Sequence, residues 1–168
     1  LMLSEATLGI IGYGRIGKQL FKYAKKFGMK ILIFSNKKHP NQTSLKTIAE
    51  KSDFISVNLS LKKSTKNFIN KKFFKLMKKN SYFINTSKGE IVNYLDLLKF
   101  LGKNINAAAI DVYKNENSND KELKKLSNYS KKYSNLILTP HIAGGTLDSI
   151  QTLQKLALTN INSYLKSF

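Results

Sequence analysis

The sequence predicts an α/β fold with a doubly wound sheet of six parallel strands and helices on both faces. Three observations carry this. Short apolar runs alternate with stretches of helical spacing from one end of the chain to the other. The first run, TLGII at residues 7–11, breaks into Gly12-Tyr13-Gly14-Arg15-Ile16-Gly17, a G-x-G-x-x-G pattern, and a helical stretch follows at once. Polar and glycine-rich clusters stand just after the later strands, where an open α/β sheet keeps its ligands. Together they describe a Rossmann-type arrangement.

The elements follow in order. Gly12 lets the first strand turn tightly, Gly14 offers no Cβ to block a pyrophosphate, and Gly17 lets the next helix lie close on the strand. That helix is predicted over 15–27, with Ile16, Leu20, Tyr23, Ala24 and Phe27 at steps of three or four as its apolar face. Lys18, Lys22, Lys25 and Lys26 fall mostly opposite, and Gly28 stands where a C-cap is wanted. The unpaired N–H groups and positive dipole end of this helix face the turn. Gly12, Gly14, Arg15, Ile16 and Gly17 are therefore the candidate grip for the diphosphate of a dinucleotide.

A second buried strand is predicted over 30–34, and a polar stretch over 35–44 leads to a short helix over 45–51. The third strand covers 54–57 and is followed by a loop over 58–65 and a short helix over 71–77. A fourth strand over 82–85 and a helix over 94–101 come next. The fifth strand, 106–112, carries Ala107, Ala108 and Ala109, small enough for something to pack closely on it. Residues 113–134 are dominated by Asn and Lys and read as a long surface loop with a brief helix. The sixth strand covers 136–138, and a closing helix covers 146–165. No internal repeat stands out, and residues 1–168 form one dinucleotide-binding domain, large enough to bury a core.

Composition excludes several classes. There is no cysteine, hence no disulfide framework, thiolate zinc site or cysteine nucleophile. No apolar run reaches the roughly 18 residues of a membrane span, and no basic region with an apolar core opens the chain as a signal peptide does. A cytoplasmic location and no membrane partner are expected. The net charge of +19 invites a nucleic-acid reading, but Arg15 is the only arginine among 29 basic residues, and the lysines are scattered. Specific readers of bases and phosphates favour the planar guanidinium fork, so no specific nucleic-acid partner is expected.

After the fourth strand come Asn85, Thr86, Ser87, Lys88 and Gly89; after the fifth, Asp111 and then Glu116; after the sixth, Thr139, Pro140, His141, Ile142, Ala143 and Gly144. They place a carboxylate, an imidazole and a cation around one crevice, a set suited to hydride transfer. Taken singly each has a plainer role. His141 or Asp111 can cap a strand end, Glu116 can be a solvated loop acid, and Lys88 is one lysine among many.

In combination these stretches resemble the cofactor domain of the D-isomer-specific 2-hydroxyacid dehydrogenases, the family of D-lactate, glycerate, hydroxypyruvate and phosphoglycerate dehydrogenases. The resemblance rests on the glycine run through Gly17, Phe27-Gly28-Met29-Lys30, Ile84-Asn85-Thr86, Ala108-Ala109-Ile110-Asp111-Val112-Tyr113 and Leu138-Thr139-Pro140-His141-Ile142-Ala143-Gly144, all in order. It implies that His141 is the acid/base, that Glu116 orients it, that Asp111 meets the nicotinamide carboxamide end, and that Lys88 holds the carboxylate and carbonyl of a small 2-keto or 2-hydroxy acid. It also implies a homodimer, expected through residues 113–134 and adjacent helices. A second domain that closes over the substrate is implied too, so this chain reads as the cofactor domain of a longer protein. Relatives also include corepressors, which leaves a cofactor-sensing binding module without efficient catalysis as the alternative.

The chain departs from the family pattern at several points. An acid usually ends the second strand, about 20 residues past the glycines, and holds the adenosine 2′-hydroxyl. Here the position is Ser35, followed by Asn36, Lys37 and Lys38. Loss of the carboxylate removes repulsion toward a 2′-phosphate, so NADP is favoured over NAD, or both are used. Lys88 replaces the family's arginine, a mobile point charge in place of a bidentate fork. Ser60 and Asn117 replace prolines, and looser local loops are expected there.

Overall fold

The structure, a computed structural model, describes residues 2–36, 38–115 and 120–167. Six strands form one sheet: β1 (Thr7–Ile11), β2 (Lys30–Phe34), β3 (Phe54–Val57), β4 (Ser81–Asn85), β5 (Ile105–Ile110) and β6 (Leu136–Leu138). Every neighbouring pair is parallel, in the order β2-β1-β3-β4-β5-β6. Between and after them run α1 (Arg15–Lys26), α2 (Leu45–Lys51), α3 (Lys71–Leu76), α4 (Tyr94–Phe100), α5 (Lys121–Lys132) and α6 (Leu147–Leu165). The strands expected at 7–11, 30–34, 54–57 and 136–138 are found with those bounds.

The chain runs outward from β1 to β2, then crosses back through α2 to β3 on the other side of β1. This is the switch point at which an α/β sheet opens a crevice. The classical six-stranded order places a third strand outside the second. Here that place holds a single parallel bridge between Ile33 and Gln42, made by Ile33 N–H to Asn41 O at 2.9 Å and Thr43 N–H to Ile33 O at 2.8 Å. The segment SNKKHPNQTS at 35–44 supplies no apolar run to bury and contains Pro40, so it cannot extend the ladder.

The larger core lies between one face of the sheet and α2, α3 and α4, with Ile11, Ile48, Ile55, Phe74, Phe83 and Leu97 buried in it. The smaller packs Leu8, Ile10, Ile31 and Ile33 of β1 and β2 around Ala24 of α1. The expected apolar face of α1 needs correction. Gly17 and Ala24 are the buried residues of that helix, whereas Ile16, Tyr23 and Phe27 are exposed. Two small residues bring the helix so close to β1 that the bulky ones are turned to its flank. There Tyr23 and Phe27 line an apolar hollow of about 290 Å³ with Leu3, Leu8, Phe54 and Ile84.

Two further expectations change. Within 113–134 the chain forms a three-turn helix, α5, rather than a loop with a brief helix. Asp120 caps it by accepting from Glu122 N–H at 2.8 Å and Leu123 N–H at 2.9 Å, and Leu126 buries against the core. One apolar anchor and a strong N-cap outweigh the polar composition. Helix α6 forms where expected, capped by Thr146, which accepts from Ser149 N–H at 3.2 Å, but it does not close the sheet. Residues 150–167 are all exposed. Of the two sheet faces, one carries a layer of helices and the other is covered by α1 at the β1–β2 end. Among the described residues no helix is long and apolar enough to cross a membrane, and no group of metal-ligating side chains is assembled.

Candidate cofactor and catalytic site

The three glycines divide their tasks as their spacing implies. Gly12 adopts φ +102°, a left-handed conformation, and a Cβ there would stand 2.5 Å from Asn58 O. Its N–H donates to Phe34 O at 2.8 Å, and Asn58 N–H donates to Ile11 O at 2.7 Å. The turn is thus wedged between the ends of β2 and β3. A Cβ on Gly17 would lie 2.2 Å from Gly12 O, so α1 rests directly on the turn. A Cβ on Gly14 would meet nothing within 4 Å. Gly14 is also the N-cap of α1 and gives no side-chain cap. It leaves the start of the helix open to a ligand.

That opening faces a cleft of about 470 Å³, whose lining includes Gly12, Gly14, Ser35, Asn36, Asn58 and Lys62. Among the described residues no carboxylate lines it. Ser35 and Asn36 stand at the end of β2 as expected; Lys37 lies outside the described residues. Arg15 and Ile16 begin α1 and are exposed. A larger hollow, about 660 Å³, lies between α5 and the end of β6, lined by Tyr113, Leu123, Lys124, Thr139 and Pro140 among others. It touches no part of the glycine turn, which opens onto the smaller cleft.

The remaining candidates gather at the carboxyl ends of β4, β5 and β6. Asn85, buried, donates through Nδ2 to Tyr94 Oη at 2.7 Å and to Lys88 O at 3.2 Å, and accepts from Ser87 N–H at 3.0 Å. Tyr94 Oη donates to Val112 O at 2.6 Å. Burial pushes the Tyr94 phenol well above the ordinary tyrosine range, against the effect of its Asn85 hydrogen bond. The Ser87 hydroxyl donates to Leu59 O. A Cβ on Gly89 would lie 2.2 Å from the Tyr113 carbonyl carbon, so only glycine lets the loop after β4 press on the loop after β5. These contacts tie the loops after β3, β4 and β5 into one ledge.

Asp111 joins that ledge to His141. Its N–H donates to Asn85 O at 3.1 Å, and its Oδ1 accepts from the Thr139 hydroxyl and from His141 N–H, the latter at 3.2 Å. Asp111 thus commits one oxygen to positioning the loop after β6. Tyr113 Oη adds a bond to Thr139 O at 2.8 Å. His141 holds φ +55° and is exposed beside this anchor. Lys88 is exposed at the end of the β4 loop, and it forms none of the four ion pairs found among the described residues. Thr86 is exposed. Gly144 is exposed too, with nothing within 4 Å of a Cβ, so no packing demand explains a glycine there. Glu116 and Asn117 lie outside the described residues.

The loop carrying Ser60 is tied together by the Thr65 side chain. The Thr65 hydroxyl donates to Ser60 O at 2.9 Å, and Lys62 N–H donates to Thr65 Oγ1 at 2.8 Å. Sequence reasoning missed Tyr94 and Gly89. Gly89 was visible beside Lys88; Tyr94 carries no local signal, because its contacts depend on which loops the sheet brings together.

An open parallel sheet with a glycine turn at its switch point and polar loops along the same edge defines a dinucleotide-binding domain. Comparison with known proteins narrows this. The family described as D-isomer specific 2-hydroxyacid dehydrogenase, NAD binding domain, matches residues 1–143. The chain is 37% identical over 173 residues to a glyoxylate reductase of Thermococcus litoralis, covering 98% of this chain and 50% of that protein. It is 34% identical to a glycerate dehydrogenase of Methylorubrum extorquens, over 97% of this chain and 51% of that protein. The fold superimposes with a TM-score of 0.90 on the NAD-complexed D-isomer specific 2-hydroxyacid dehydrogenase of Lactobacillus delbrueckii ssp. bulgaricus, at 28% identity, covering 99% of this chain and 55% of that one. The chain belongs to the D-isomer specific 2-hydroxyacid dehydrogenases, within the NAD-binding domain of that family. It spans about half the length of the curated relatives it matches.

Proposed function

We propose that this domain binds a nicotinamide dinucleotide in the cleft at Gly12, Gly14 and Ser35. Together with a substrate domain it then transfers hydride between nicotinamide C4 and C2 of a small 2-hydroxy or 2-keto acid. The observation that carries this reading is the shared edge: Gly14 opens onto the cleft, and His141 is held by Asp111 at the ends of β5 and β6. In the reducing direction His141 gives a proton to the keto oxygen as hydride reaches C2; in reverse it removes the hydroxyl proton. Lys88 supplies a positive charge for the substrate carboxylate, and Glu116 orients the imidazole. The nicotinamide group supplies the hydride when bound; holding it is the work of the glycine turn and the ledge of loops.

NADP is favoured, or both cofactors are used. That no carboxylate among the described residues lines the cleft supports this, because a carboxylate would repel a 2′-phosphate. Titration of this domain with NADH and NADPH, followed by fluorescence, tests both points. Binding of neither removes the reading, and tighter binding of NADH removes the NADP preference. Turnover of 2-keto acids by a longer protein carrying this domain then tests the chemistry.

The reading extends to a homodimer in the cytoplasm, where nicotinamide-linked reduction of keto acids operates. The contact is expected through residues 113–134 and adjacent helices; the exposed apolar residues of α6, including Leu153, Leu156 and Ile161, offer a further surface for self-association, and light scattering measures it. A second reading, a cofactor-sensing module without efficient turnover, draws on Lys88 in the family's arginine position. Lys88→Arg separates the two. A rise in activity on hydroxypyruvate or glyoxylate marks an enzyme limited by its lysine, while cofactor binding with no turnover in either form marks a sensor.

A further inference from the structure

The cleft carries one cation that no part of the reading above uses. Lys62 lines it from the loop after β3, across from the glycine turn and beside Ser60, Ser64 and Thr65. Its backbone is fixed from both sides. Lys62 N–H donates to Thr65 Oγ1 at 2.8 Å, while Lys62 O accepts from Thr65 N–H at 3.0 Å and Lys66 N–H at 3.2 Å. The same Thr65 hydroxyl reaches Ser60 O at 2.9 Å, and the Ser87 hydroxyl pins Leu59 O from the neighbouring loop. An exposed lysine thus departs from an immobilised turn.

The charge balance of the cleft decides what such a lysine does. Lys46, Lys78, Lys99 and Lys114 are matched by carboxylates; among the described residues Lys62 enters no ion pair, and no acid lines the cleft. The lining offers one ammonium, several hydroxyls, the amides of Asn36 and Asn58, and the bare backbone at Gly14. Ammonium, hydroxyl and open N–H groups around one space best complement phosphate, the part of a dinucleotide that carries negative charge.

We infer that Lys62 is a phosphate-binding residue of the dinucleotide cleft, gripping either the 5′-diphosphate or the 2′-phosphate from the wall opposite the glycine turn. This rests on the proposed cofactor reading. It gives the chain a specificity determinant that stands on the β3 loop, distinct from Ser35 at the end of β2. A cation there offsets loss of the acid that would otherwise anchor the ribose, because it replaces one ribose contact with one phosphate contact.

The test is a comparison of Lys62→Gln with Lys63→Gln, a neighbouring change of equal charge whose side chain does not line the cleft. NADH, NADPH, ADP, 2′,5′-ADP and adenosine are titrated against each at low and moderate salt. In K62Q, affinity for the phosphorylated ligands falls about tenfold while adenosine is unaffected, and K63Q changes each by less than about twofold. A loss confined to NADPH and 2′,5′-ADP assigns the 2′-phosphate; an equal loss for NADH, NADPH and ADP assigns the diphosphate. Equal losses in K62Q and K63Q reveal general screening of a chain of net charge +19 and overturn the inference, as does no loss in K62Q. Failure of the unsubstituted protein to bind any dinucleotide instead overturns the cofactor reading itself.

Discussion

Asn85 Nδ2 donates to Tyr94 Oη at 2.7 Å in the interior, and the phenol in turn donates to Val112 O at 2.6 Å. One buried hydroxyl therefore joins the loop that ends in Lys88 to the strand end that carries Asp111. With the Asp111 N–H bond to Asn85 O at 3.1 Å and the close packing of Gly89 on Tyr113, it fixes the position of Lys88's loop relative to the Asp111 end of β5.

Tyr94→Phe removes the oxygen, takes from buried Val112 O its phenol donor and leaves Asn85 Nδ2 only its weaker bond to Lys88 O. The expected cost is about 1–3 kcal/mol of stability, read by denaturant unfolding. Displacement of the ledge should also weaken NADH binding several-fold while ADP, which does not reach those loops, binds as before. Equal weakening of both ligands would show a general loosening of the domain instead.

The glycine turn makes a sharp contrast. Gly17→Ala places a methyl 2.2 Å from the backbone oxygen of Gly12, which cannot move without displacing the turn; a loss above about 2 kcal/mol is expected. Gly14→Ala meets no protein atom within 4 Å, so its stability cost stays below about 1 kcal/mol, the ordinary penalty of alanine at an N-cap. Its methyl nevertheless projects where the diphosphate approaches α1, and dinucleotide affinity should fall at least about tenfold. Melting curves and cofactor titrations on the two variants should rank them in opposite orders.

Strand positions were legible from the sequence because short apolar runs between turn signals have few other uses in an alternating chain. The site was legible where chemistry is local: the glycine spacing, and the histidine after Thr139-Pro140. It was not legible where function depends on loops far apart in sequence. Nothing around residue 94 announces that its hydroxyl will meet Val112. Likewise, the spacing of Ile16, Tyr23 and Phe27 marks a helix, while the closeness of Gly17 and Ala24 to the sheet decides which residues are buried. The apolar pattern of α6 predicted the helix and said nothing about its partner.

Two carboxylates are held below the usual range and set the acid limit of the fold. For Asp53 burial acts upward, but the Lys78 ammonium at 2.6 Å and Thr7 N–H at 2.9 Å outweigh it. Asp96 is lowered first by Lys99 at 2.8 Å, opposed by burial and aided by Lys71 N–H at 3.1 Å. A carboxyl with a depressed folded pKa binds fewer protons in the native state than in the unfolded chain. Its stabilisation is complete above the ordinary value of 3.8 and is lost as pH falls through the folded value. Thermal midpoints should decline below about pH 4. Asp53→Asn should start about 1 kcal/mol lower at neutral pH, since Lys78 is half exposed, and show a shallower acid decline.

His141 combines an exposed imidazole with φ +55°, a conformation that disfavours most side chains and suits asparagine better than most. Its N–H is anchored to Asp111 Oδ1 at 3.2 Å, so the backbone geometry need not depend on the ring. His141→Asn therefore keeps the conformation and removes the acid/base, whereas His141→Ala confounds the two by adding strain. With H141N the melting point and NADH affinity of the domain should stay unchanged. In a longer protein carrying this domain, turnover of a 2-keto acid should fall by about 10²–10⁴. Asp111→Ala gives the converse: the imidazole is retained but the loop after β6 loses two hydrogen bonds. Turnover should then fall with partial recovery in Asp111→Asn, whose side-chain oxygen can still accept from His141 N–H. If H141N retains full turnover, the proton is moved by another group and the assignment of His141 is wrong.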